Sequence, residues 1–550
     1  MKEQHRILLA FLLITLIAVF FYSRSTQKFP PIPENSPDRE FYDVIQPKEE
    51  EEVASSLPLL PSIGEEREVV VETDLYRIVL STRGGTIQSV ELKNYRGWEW
   101  DTVEKAWKLK EWVELIPAGG GALGLSLGNE MDLSDVIFNV DKEELVFYRP
   151  GEVGSLQFSL TLPSGEKLVK TYSFRQGSYL IGLEWEGGMR ERETLSWGSG
   201  LRTTEKGKTK RENGVIQPND PKEDLQNFAS VVLMGGELLR FTRKETKREV
   251  FDPIELESKS GPVAWAGVRT KYFIAALIPL EGEVEGFSAH QVGLKKLSVS
   301  LTTRTTSRVR YDIYLGPIDY DQLQRLGVGL EKVVDLGWSW IRPIAKGILY
   351  LLKFLHRVLP GHNYGVVIIL FSGMMMLVFF PLTYRGLRAT QAMQKLQPKI
   401  AQIRERYKKD SQRMNRETMA LYKKNKVNPM GGCLPLLFQM PVFFGLYSVL
   451  RSTLEIRGAS FLWLTDLSQA DPFYVLPIVM GGTMFLQQRF TATSQDPRQK
   501  MMMWMMPIFM TFIFLNFPAG LVLYWLTYNI LSTIQHLLIR KREKVEEVTP

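Results

Sequence analysis

An uncharged run from Met430 to Leu450 contains a single amide side chain, Gln439, near its middle. The run is long enough to cross a bilayer as a helix. It also contains Pro435 and Pro441, and a proline inside a helix frees a backbone carbonyl that must find another partner in lipid. A buried amide is costly unless it has a partner or faces water. These residues predict hydrogen bonding inside a bundle of helices, and they disfavour a single-pass anchor.

The composition of the 550-residue chain divides near residue 360. Charged side chains lie mostly before this point and long uncharged runs mostly after it, which predicts a soluble domain joined to a membrane bundle. The net charge of +7 would also fit a nucleic-acid-binding protein, but a membrane protein gains Lys and Arg by keeping its loops cytoplasmic, and we prefer that explanation. The only cysteine, Cys433, excludes an internal disulfide, and the five scattered histidines predict no metal site.

The first 66 residues contain an anchor and a tether. An uncharged run, Ile7 to Ser23, follows Lys2 and Arg6, and no small-x-small cleavage site comes after it, so residues 1–26 fit a retained signal anchor better than a cleaved signal peptide. Residues 27–66 are rich in proline and glutamate. Such a segment buries little, and we expect it to be a linker.

Residues 67–316 show the alternation of β-strands. Strands are predicted at Arg67 to Thr73, Tyr76 to Ser81 and Thr86 to Leu92, and a hairpin from Leu156 to Phe174 turns at Pro163-Ser164-Gly165. Short strands with frequent turns over this length predict a large β-sandwich. Such a fold can hold a sugar, but no carboxylate pair with aromatic platforms is visible in the sequence, so we expect a scaffold.

The remainder of the chain alternates membrane spans with polar connections. Residues 335–360 combine tryptophans with four basic side chains, which predicts an amphipathic helix in the membrane interface. Residues 361–545 then contain five uncharged runs, beginning near Asn363, Met430, Pro472, Met501 and Leu521. With the N-terminal anchor, these runs give six predicted transmembrane helices.

Between the first and second of these runs, residues 384–428 predict a helical hairpin with an apolar seam from Ala389 to Tyr407, kinked at Pro398. Thirteen basic side chains lie here against three acidic ones, which places the hairpin in the cytoplasm. The basic residues are Arg385, Arg388, Lys395, Lys399, Arg404, Arg406, Lys408, Lys409, Arg413, Arg416, Lys423, Lys424 and Lys426.

Four segments of this region resemble the YidC/Oxa/Alb family of membrane protein insertases. They are FPLTYRGLRATQAMQKLQPKIAQIRERY, ALYKKNKVNPMGGCLPLLFQMPVFFGLY, WLTDLSQADPFYVLPIVMG and NFPAGLVLYW, and the resemblance extends from about Asp335 to Lys541. The anchor, tether and β-domain before them resemble the Gram-negative YidC type. The resemblance implies a core of five helices around a hydrophilic groove that is open to the cytoplasm and to lipid. A client's polar tail would cross through this groove, and its apolar helix would pass into the bilayer.

The resemblance also implies the residues of this groove. Gln439 matches the polar position of the family and Trp525 the aromatic one, and Phe443, Met480 and Phe514 match the apolar client-contact surface. Each position also has a plainer interpretation. Gln439 would then bond a carbonyl freed by a proline, Trp525 would be a packing residue, and the phenylalanines would face lipid.

The chain departs from the family at Met376, where family members usually carry an arginine five residues before the proline of PLT. No charged residue lies between Asn363 and Thr383, and Ser372, one turn away on the same face, is the nearby polar side chain. Arg385 and Arg388 lie about 13–18 Å further along the helix. The groove is therefore expected to lack its fixed cation.

The predicted function is a non-enzymatic membrane insertase without cofactor, metal or small-molecule substrate. Its expected partners are nascent membrane-protein clients, the lipid bilayer, a Sec translocon and the ribosome. The expected location is the bacterial inner membrane, with both termini cytoplasmic and the β-domain periplasmic. Two other classes stay open at this point: a polytopic transporter or channel, which would need intramembrane carboxylates, and a membrane-tethered carbohydrate-binding protein.

Overall fold

The computed structural model describes residues 65–548, except 102–103, 117–120, 129–130, 163–164, 188–191, 208, 213–214, 219–221, 244–252, 293–295, 305–307, 362, 429–433 and 492–496. Side chains within 208–224, 429–436, 490–503 and 540–550 are also outside this description. The predicted signal anchor (1–26) lies outside the described residues, as does the predicted linker (27–66) up to residue 64.

The described residues belong to two compact units, which are divided in the sequence between Val334 and Asp335. The first unit is β-rich. Its strands are β1 (Glu68–Glu72), β2 (Tyr76–Ser81), β3 (Thr86–Leu92), β4 (Gly97–Asp101), β5 (Ala106–Lys110), β6 (Val113–Ile116), β7 (Gly124–Leu127), β8 (Met131–Asp132), β9 (Asn139–Val140), β10 (Glu144–Val146), β11 (Val153–Thr161), β12 (Lys167–Arg175), β13 (Leu180–Glu186), β14 (Arg192–Trp197), β15 (Thr209–Glu212), β16 (Val215–Pro218), β17 (Ala229–Met234), β18 (Glu237–Thr242), β19 (Ile254–Ser260), β20 (Val263–Arg269), β21 (Phe273–Glu281), β22 (Glu283–Val292), β23 (Lys296–Arg304) and β24 (Arg308–Pro317).

These strands form three larger sheets and two separate hairpins, β4–β5 and β15–β16. One sheet has nine strands in the order β18-β17-β20-β21-β24-β13-β12-β11-β9, and another has six in the order β19-β22-β23-β14-β7-β8. The third has the order β10-β1-β2-β3-β6. Strand β20 of the nine-stranded sheet contacts β22 and β23 of the six-stranded sheet. Apolar residues between the layers, such as Trp265 and Leu301, are fully buried.

The strands predicted near the start of this unit are confirmed. β1, β2 and β3 lie within the predicted runs, and β11 pairs with β12 as the predicted hairpin, with Leu160 opposite Leu168. The unit continues beyond the predicted end at residue 316. Helix α2 (Tyr320–Arg325) and the 3-10 helix Leu330–Val333 bury Leu323 and Leu330 completely, and the Arg269 guanidinium donates a hydrogen bond to the Val333 carbonyl.

A lysine without an acidic partner among the described residues is buried in the β-rich unit. The Lys170 ammonium donates to the carbonyls of Gly85 and Leu123, each at 2.9 Å, and to that of Gly84 at 3.3 Å. Gly84 adopts φ +68°, and a Cβ there would lie 2.7 Å from the Ser134 carbonyl oxygen, so the turn requires glycine. Burial lowers the pKa of Lys170 to about 7.

The second unit is helical. Its helices are numbered from α3, because α1 (Lys222–Asn227) and α2 belong to the first unit. They are α3 (Arg342–Val358), α4 (Tyr364–Arg406), α5 (Ser411–Lys424), α6 (Leu434–Ser452), α7 (Val475–Thr491), α8 (Pro497–Phe514) and α9 (Ala519–Val548), with a 3-10 helix at Leu454–Ile456. Helix α9 contacts α4, α6 and α7, while α8 packs on α7 and α3 packs on α6.

The first predicted span and the first arm of the predicted hairpin form one helix, α4. It contains both Pro381 and Pro398. Helix α5 follows after a short turn and contacts α4, and the Asp410 carboxylate caps its start by accepting from the Arg413 amide at 2.9 Å. Two residues of the predicted seam, Leu396 and Ile400, are buried, whereas α5 has no buried residue. The hairpin is therefore only thinly packed.

The predicted interfacial helix, 335–360, is shorter in the structure. Residues before Arg342 are not helical, because Gly337 has φ +80° and Pro343 occupies the first turn of α3. A Cβ at Gly337 would lie 2.7 Å from the Ser448 hydroxyl, so the chain also passes close to α6 there. One face of α3 buries Ala345, Ile348, Leu349 and Leu352.

One described helix, α4, has an apolar stretch long enough to cross a membrane by length and composition. The described helices α6, α7, α8 and α9 coincide with the other four predicted spans of the helical unit. The connection between the spans that begin near Pro472 and Met501 is short, because α7 continues to Thr491 and α8 begins at Pro497.

We expect Lys170 to make the stability of the β-rich unit depend on pH. Its pKa of about 7 in the folded protein lies below the ordinary value of about 10.4, so between these pH values the unfolded chain binds more protons and stability rises with pH. From pH 7 to 9, the free energy of unfolding of the wild type should rise by about 2 kcal/mol relative to Lys170→Met. Urea unfolding of the full chain in detergent, followed by near-ultraviolet circular dichroism, measures this difference.

The matched control is Lys167→Met, at an exposed position of the same strand. This variant should show the pH dependence of the wild type. A difference between wild type and Lys170→Met that does not change with pH would contradict the assignment.

Candidate functional site

A buried polar contact joins three helices of the helical unit. The Gln439 side-chain amide of α6 donates to the Tyr524 hydroxyl of α9 at 3.2 Å. The Ser372 hydroxyl of α4 donates to the Ile368 carbonyl at 2.7 Å and lies 3.4 Å from the Tyr524 carbonyl oxygen. Ser372 and Tyr524 are fully buried, and Gln439 is 5% exposed. The amide nitrogen of Gln439 therefore bonds a tyrosine hydroxyl, which differs from the plainer expectation of a carbonyl freed by a proline.

Further polar side chains continue this contact along α9. They recur every three or four residues and so lie on one side of the helix. The Ser532 hydroxyl accepts from the Gln487 amide of α7 at 3.0 Å, and the Gln535 amide donates to the Thr383 hydroxyl of α4 at 3.3 Å. We call the following set the polar row: Ser372, Thr383, Gln439, Gln487, Tyr524, Tyr528, Asn529, Ser532, Gln535 and His536.

Three atoms of the polar row have no hydrogen-bond partner among the described residues. They are the Asn529 amide nitrogen, the Gln535 amide oxygen and Nδ1 of His536. Buried polar atoms are normally paired, with protein or with water. Asn529 and Gln535 are 4% and 5% exposed, so each unpartnered atom is a place for a water molecule or for a polar group of a ligand.

An aromatic cluster lies beside the first contact of the polar row. The Phe443 ring is 5.4 Å from Trp525 and 6.1 Å from Phe514, and Phe514 is 5.8 Å from Trp525. Phe444 and Phe517 extend the cluster, at 5.4 and 6.4 Å from Phe443. The structure thus brings together three of the predicted site residues. Phe514 is buried, not turned toward lipid, and Phe443 is half-buried.

The remaining predicted groove residues occupy different surroundings. Met480 is fully buried on α7, next to Gly481, where a Cβ would lie 2.0 Å from the Thr511 hydroxyl of α8. It therefore lies in a tightly packed part of the bundle. Met376 is half-buried on α4, one turn beyond Ser372, and brings no charge to that part of the helix.

Twelve of the predicted hairpin cations lie on α4, on α5 or in the turn between them, and Lys426 follows the end of α5. All thirteen except Arg404 are exposed. Two guanidinium groups lie over tyrosine rings: Arg388 is 4.5 Å from the Tyr384 centroid, and Arg413 is 5.0 Å from that of Tyr407. The hairpin therefore presents a strongly basic surface.

The polar row on α9 was missed from the sequence. Its signal is the spacing of Tyr524, Tyr528, Ser532 and Gln535 within a predicted span, which places polar groups on one face of an otherwise apolar helix. A search for charged residues alone misses this pattern, because every residue of the polar row except His536 has an uncharged side chain.

Comparison with known proteins decides the family. Residues 354–547 match the family described as 60Kd inner membrane protein, and residues 68–351 match the YidC periplasmic domain. The membrane protein insertase YidC of Syntrophus aciditrophicus (strain SB) is 39% identical over 509 residues, which cover 89% of this chain and 88% of the relative. This chain belongs to the YidC family of membrane protein insertases. The YidC of Geobacter sp. (strain M21) is 38% identical, with 86% of each chain covered.

Among solved structures, the crystal structure of an active YidC insertase with its first transmembrane domain resolved is 18% identical. It covers 86% of this chain and 93% of its own, with a TM-score of 0.38. The expected resemblance and the expected function of insertase are confirmed by the family match, and neither the transporter nor the sugar-binding alternative receives support. YidC is an inner membrane insertase with a periplasmic domain, and its function implies membrane-protein clients and a lipid bilayer.

The unpartnered Asn529 yields a prediction that separates stability from function. Asn529→Leu should stabilise the folded bundle by about 1–3 kcal/mol, because it removes a buried amide nitrogen that no described residue bonds. It should also slow insertion of a single-span client, because it removes a hydrogen-bonding group from the polar row. Chemical unfolding in detergent and insertion into reconstituted vesicles are the two measurements.

Ile530→Leu, at the exposed neighbouring position, serves as control and should change neither quantity. Destabilisation of the bundle by Asn529→Leu would contradict this prediction, because it would mean that the Asn529 amide has a stabilising partner outside the polar row.

Proposed function

We propose that the polar row is the path of the client's polar tail and that the aromatic cluster is where its apolar segment is held. The contact of Ser372, Gln439 and Tyr524 carries this proposal, because it places bonded polar groups at the centre of helices that otherwise expose apolar side chains. The unpartnered atoms of Asn529, Gln535 and His536 add sites at which water or a client's backbone can bond.

The energetics of this path need no nucleotide. A polar tail that crosses lipid loses its hydrogen bonds with water, whereas a tail in a hydrated groove keeps partners. Burial of the client's apolar side chains contributes about 25 cal/mol per Å². The half-buried rings of Phe443 and Trp525, which pack on the buried Phe514 ring, offer an apolar surface next to the polar one. The proposed role is accordingly non-enzymatic.

The proposed topology has six spans, of which α4, α6, α7, α8 and α9 are the core and the N-terminal anchor is the sixth. Both termini and the basic hairpin would be cytoplasmic, and the β-rich unit periplasmic. Outward-facing apolar side chains on α8, such as Phe509 and Phe512, support a lipid-facing position for that helix. The excess of cations between Tyr384 and Asn428 supports the orientation.

The proposed partners beyond clients and lipid are the ribosome and a Sec translocon. The exposed cations of the hairpin support an anionic partner such as ribosomal RNA or lipid headgroups. The hairpin can move with little loss of packing, because α5 buries no side chain.

Photocrosslinking of stalled nascent chains tests the proposed path. A crosslinking residue at Gln439 or Phe514 should capture a client whose apolar segment has just left the ribosome. The same residue at Tyr148, which is exposed in the β-rich unit, should capture none. Equal capture at all three positions, or capture at Tyr148 alone, would overturn the proposed path.

Met376 leads to a prediction about client selection. Without a fixed cation in the polar row, the protein should choose clients by hydrophobicity and tail length, with weak dependence on tail acidity. Met376→Arg should be tolerated and should create a preference for acidic tails. The measurement is insertion of paired clients with acidic and neutral tails by both proteins.

Leu377→Arg is the matched control, because Leu377 is 71% exposed and faces outward. An arginine in lipid costs at least about 2.5 kcal/mol at mid-membrane, so this variant should be poorly tolerated. A strong acidic preference in the wild type that Met376→Arg leaves unchanged would show that a cation elsewhere supplies the charge.

The basic hairpin should be required for insertion but not for membrane integration. Deletion of residues Gln397–Lys423 keeps every proposed span and removes most of the exposed cations, so the protein should integrate and insert clients slowly. As a control, Lys408→Arg with Lys409→Arg preserves the charge and should preserve insertion. Full insertion by the deletion variant in reconstituted vesicles would refute this role.

A further inference from the structure

A cleft in the β-rich unit has no role in the proposed insertion path. It is shallow and open to solvent. The hairpin β4–β5, the following strand β6 and the segment after β14 form its walls. Its lining consists of Gly97, Trp98, Glu99, Lys110, Trp112, Glu114, Arg202, Thr203 and Thr204.

Four charged side chains in this cleft form a closed ring. The Arg202 guanidinium contacts Glu99 at 3.2 Å and also bonds Glu114, while the Lys110 ammonium contacts Glu99 at 2.8 Å and Glu114 at 3.6 Å. The two positive and two negative charges cancel. The ring therefore offers planar, fixed hydrogen-bonding groups without a net charge.

Two members of the ring, Glu99 and Lys110, stay ionised around neutral pH. Burial acts to raise the pKa of Glu99, but the hydrogen bonds and charges of Lys110 and Arg202 outweigh it and hold the pKa below its usual range. Burial acts to lower the pKa of Lys110, but Glu99 and Glu114 outweigh it and raise the pKa. The contact between Glu99 and Lys110 should therefore not change between pH 6 and 8.

Two indole rings border the charged ring. Trp98 and Trp112 are only partly buried, although tryptophan is a residue that gains much from burial. The Lys206 ammonium lies 4.8 Å from the Trp98 ring centroid, and that of Lys93 lies 5.5 Å from Trp112. Each lysine helps to hold its ring in place.

Several polar atoms of the cleft are left for a ligand. Among the described residues, none accepts from the indole N–H of Trp98 or of Trp112, and none donates to the Oε1 atom of Glu114. None of these atoms is buried without a partner, so each is accessible to solvent at the cleft or beside it. A ligand here would meet two N–H donors, one carboxylate acceptor and two aromatic surfaces.

A pyranose sugar has the chemistry that complements this arrangement. Its C–H face packs on aromatic rings, and its neighbouring hydroxyls bond carboxylates, guanidinium groups and indole N–H groups. We propose that the cleft bounded by Trp98 and Trp112 binds a glycan through one pyranose ring, with Glu114 and Arg202 bonding its hydroxyls. This role is additional to insertion and does not depend on the polar row.

The sequence does not reveal this site, because its parts are far apart in the chain. Glu99 and Glu114 are brought together by the turn of β4–β5 and by β6, and Arg202 comes from beyond β14. The Arg202 amide donates to the Leu115 carbonyl at 2.8 Å, and the Trp98 amide donates to the Thr204 carbonyl at 3.2 Å, so backbone contacts fix the distant segment against the hairpin.

Saturation-transfer NMR on the full chain in lipid nanodiscs tests the proposal, since nanodiscs avoid sugar-based detergents. The probes are the β-linked trimer of N-acetylglucosamine, maltotriose and an uncharged tripeptide. We expect the wild type to transfer saturation to at least one sugar. Trp112→Leu should bind that sugar about tenfold more weakly, through loss of stacking. Glu114→Gln should also weaken binding, because it breaks the charged ring while preserving shape.

Tyr148→Leu removes an exposed aromatic ring of the same unit outside the cleft and should bind as the wild type does. Insertion of a single-span client should be unchanged in all three variants, and a near-ultraviolet circular dichroism spectrum like that of the wild type shows that their β-rich unit is folded. Absence of transfer to both sugars in the wild type would overturn the proposal. So would unchanged binding in both cleft variants, or transfer to the tripeptide alone.

Discussion

The helical unit depends on pairing its buried polar groups with one another, and the hydrogen bond between Gln439 and Tyr524 is the central case. A polar group inside a bundle that faces lipid must be bonded within the bundle, because lipid offers no partner. The amide of α6 meets the hydroxyl of α9, and the same tyrosine's carbonyl lies beside the Ser372 hydroxyl of α4. One residue of α9 therefore fixes the rotation of two neighbouring helices, and the rest of the polar row follows from that rotation.

The starts of the helices are fixed by a second set of contacts. The Asp471 carboxylate, which is fully buried, accepts from the Phe473 amide at 3.0 Å and the Leu476 amide at 2.7 Å, and so caps α7. The amides of Ala519 and Gly520, at the start of α9, donate to the carbonyls of Gln469 and Leu467. A single connecting segment thus sets the positions of α7 and α9 along their axes, and with them the pairing of Gln487 with Ser532.

Much of this architecture could be predicted from the sequence, because it rests on local patterns. Alternation gave β1, β2 and β3, and the uncharged runs coincide with helices α4 and α6 to α9. The aromatic cluster of Phe443, Phe514 and Trp525 could be placed only through the family resemblance, since the residues come from three helices. The polar row of α9 has a spacing signal of its own, but its partners on α4, α6 and α7 come from distant segments. The same holds for the charged ring of Glu99, Glu114 and Arg202, and spacing along the chain does not encode such contacts.

Helix α4 joins the polar contact at Ser372 to the basic hairpin without interruption. At 1.5 Å per residue, Arg406 lies about 51 Å along the helix from Ser372. A rod of this length acts as a lever: a tilt of about 10° around Ser372 would move its far end by about 9 Å. Two prolines, Pro381 and Pro398, lie along this rod and set where it can bend. A force applied to the hairpin would therefore act as a torque on the hydrogen bonds of Ser372, through which α4 contacts α9.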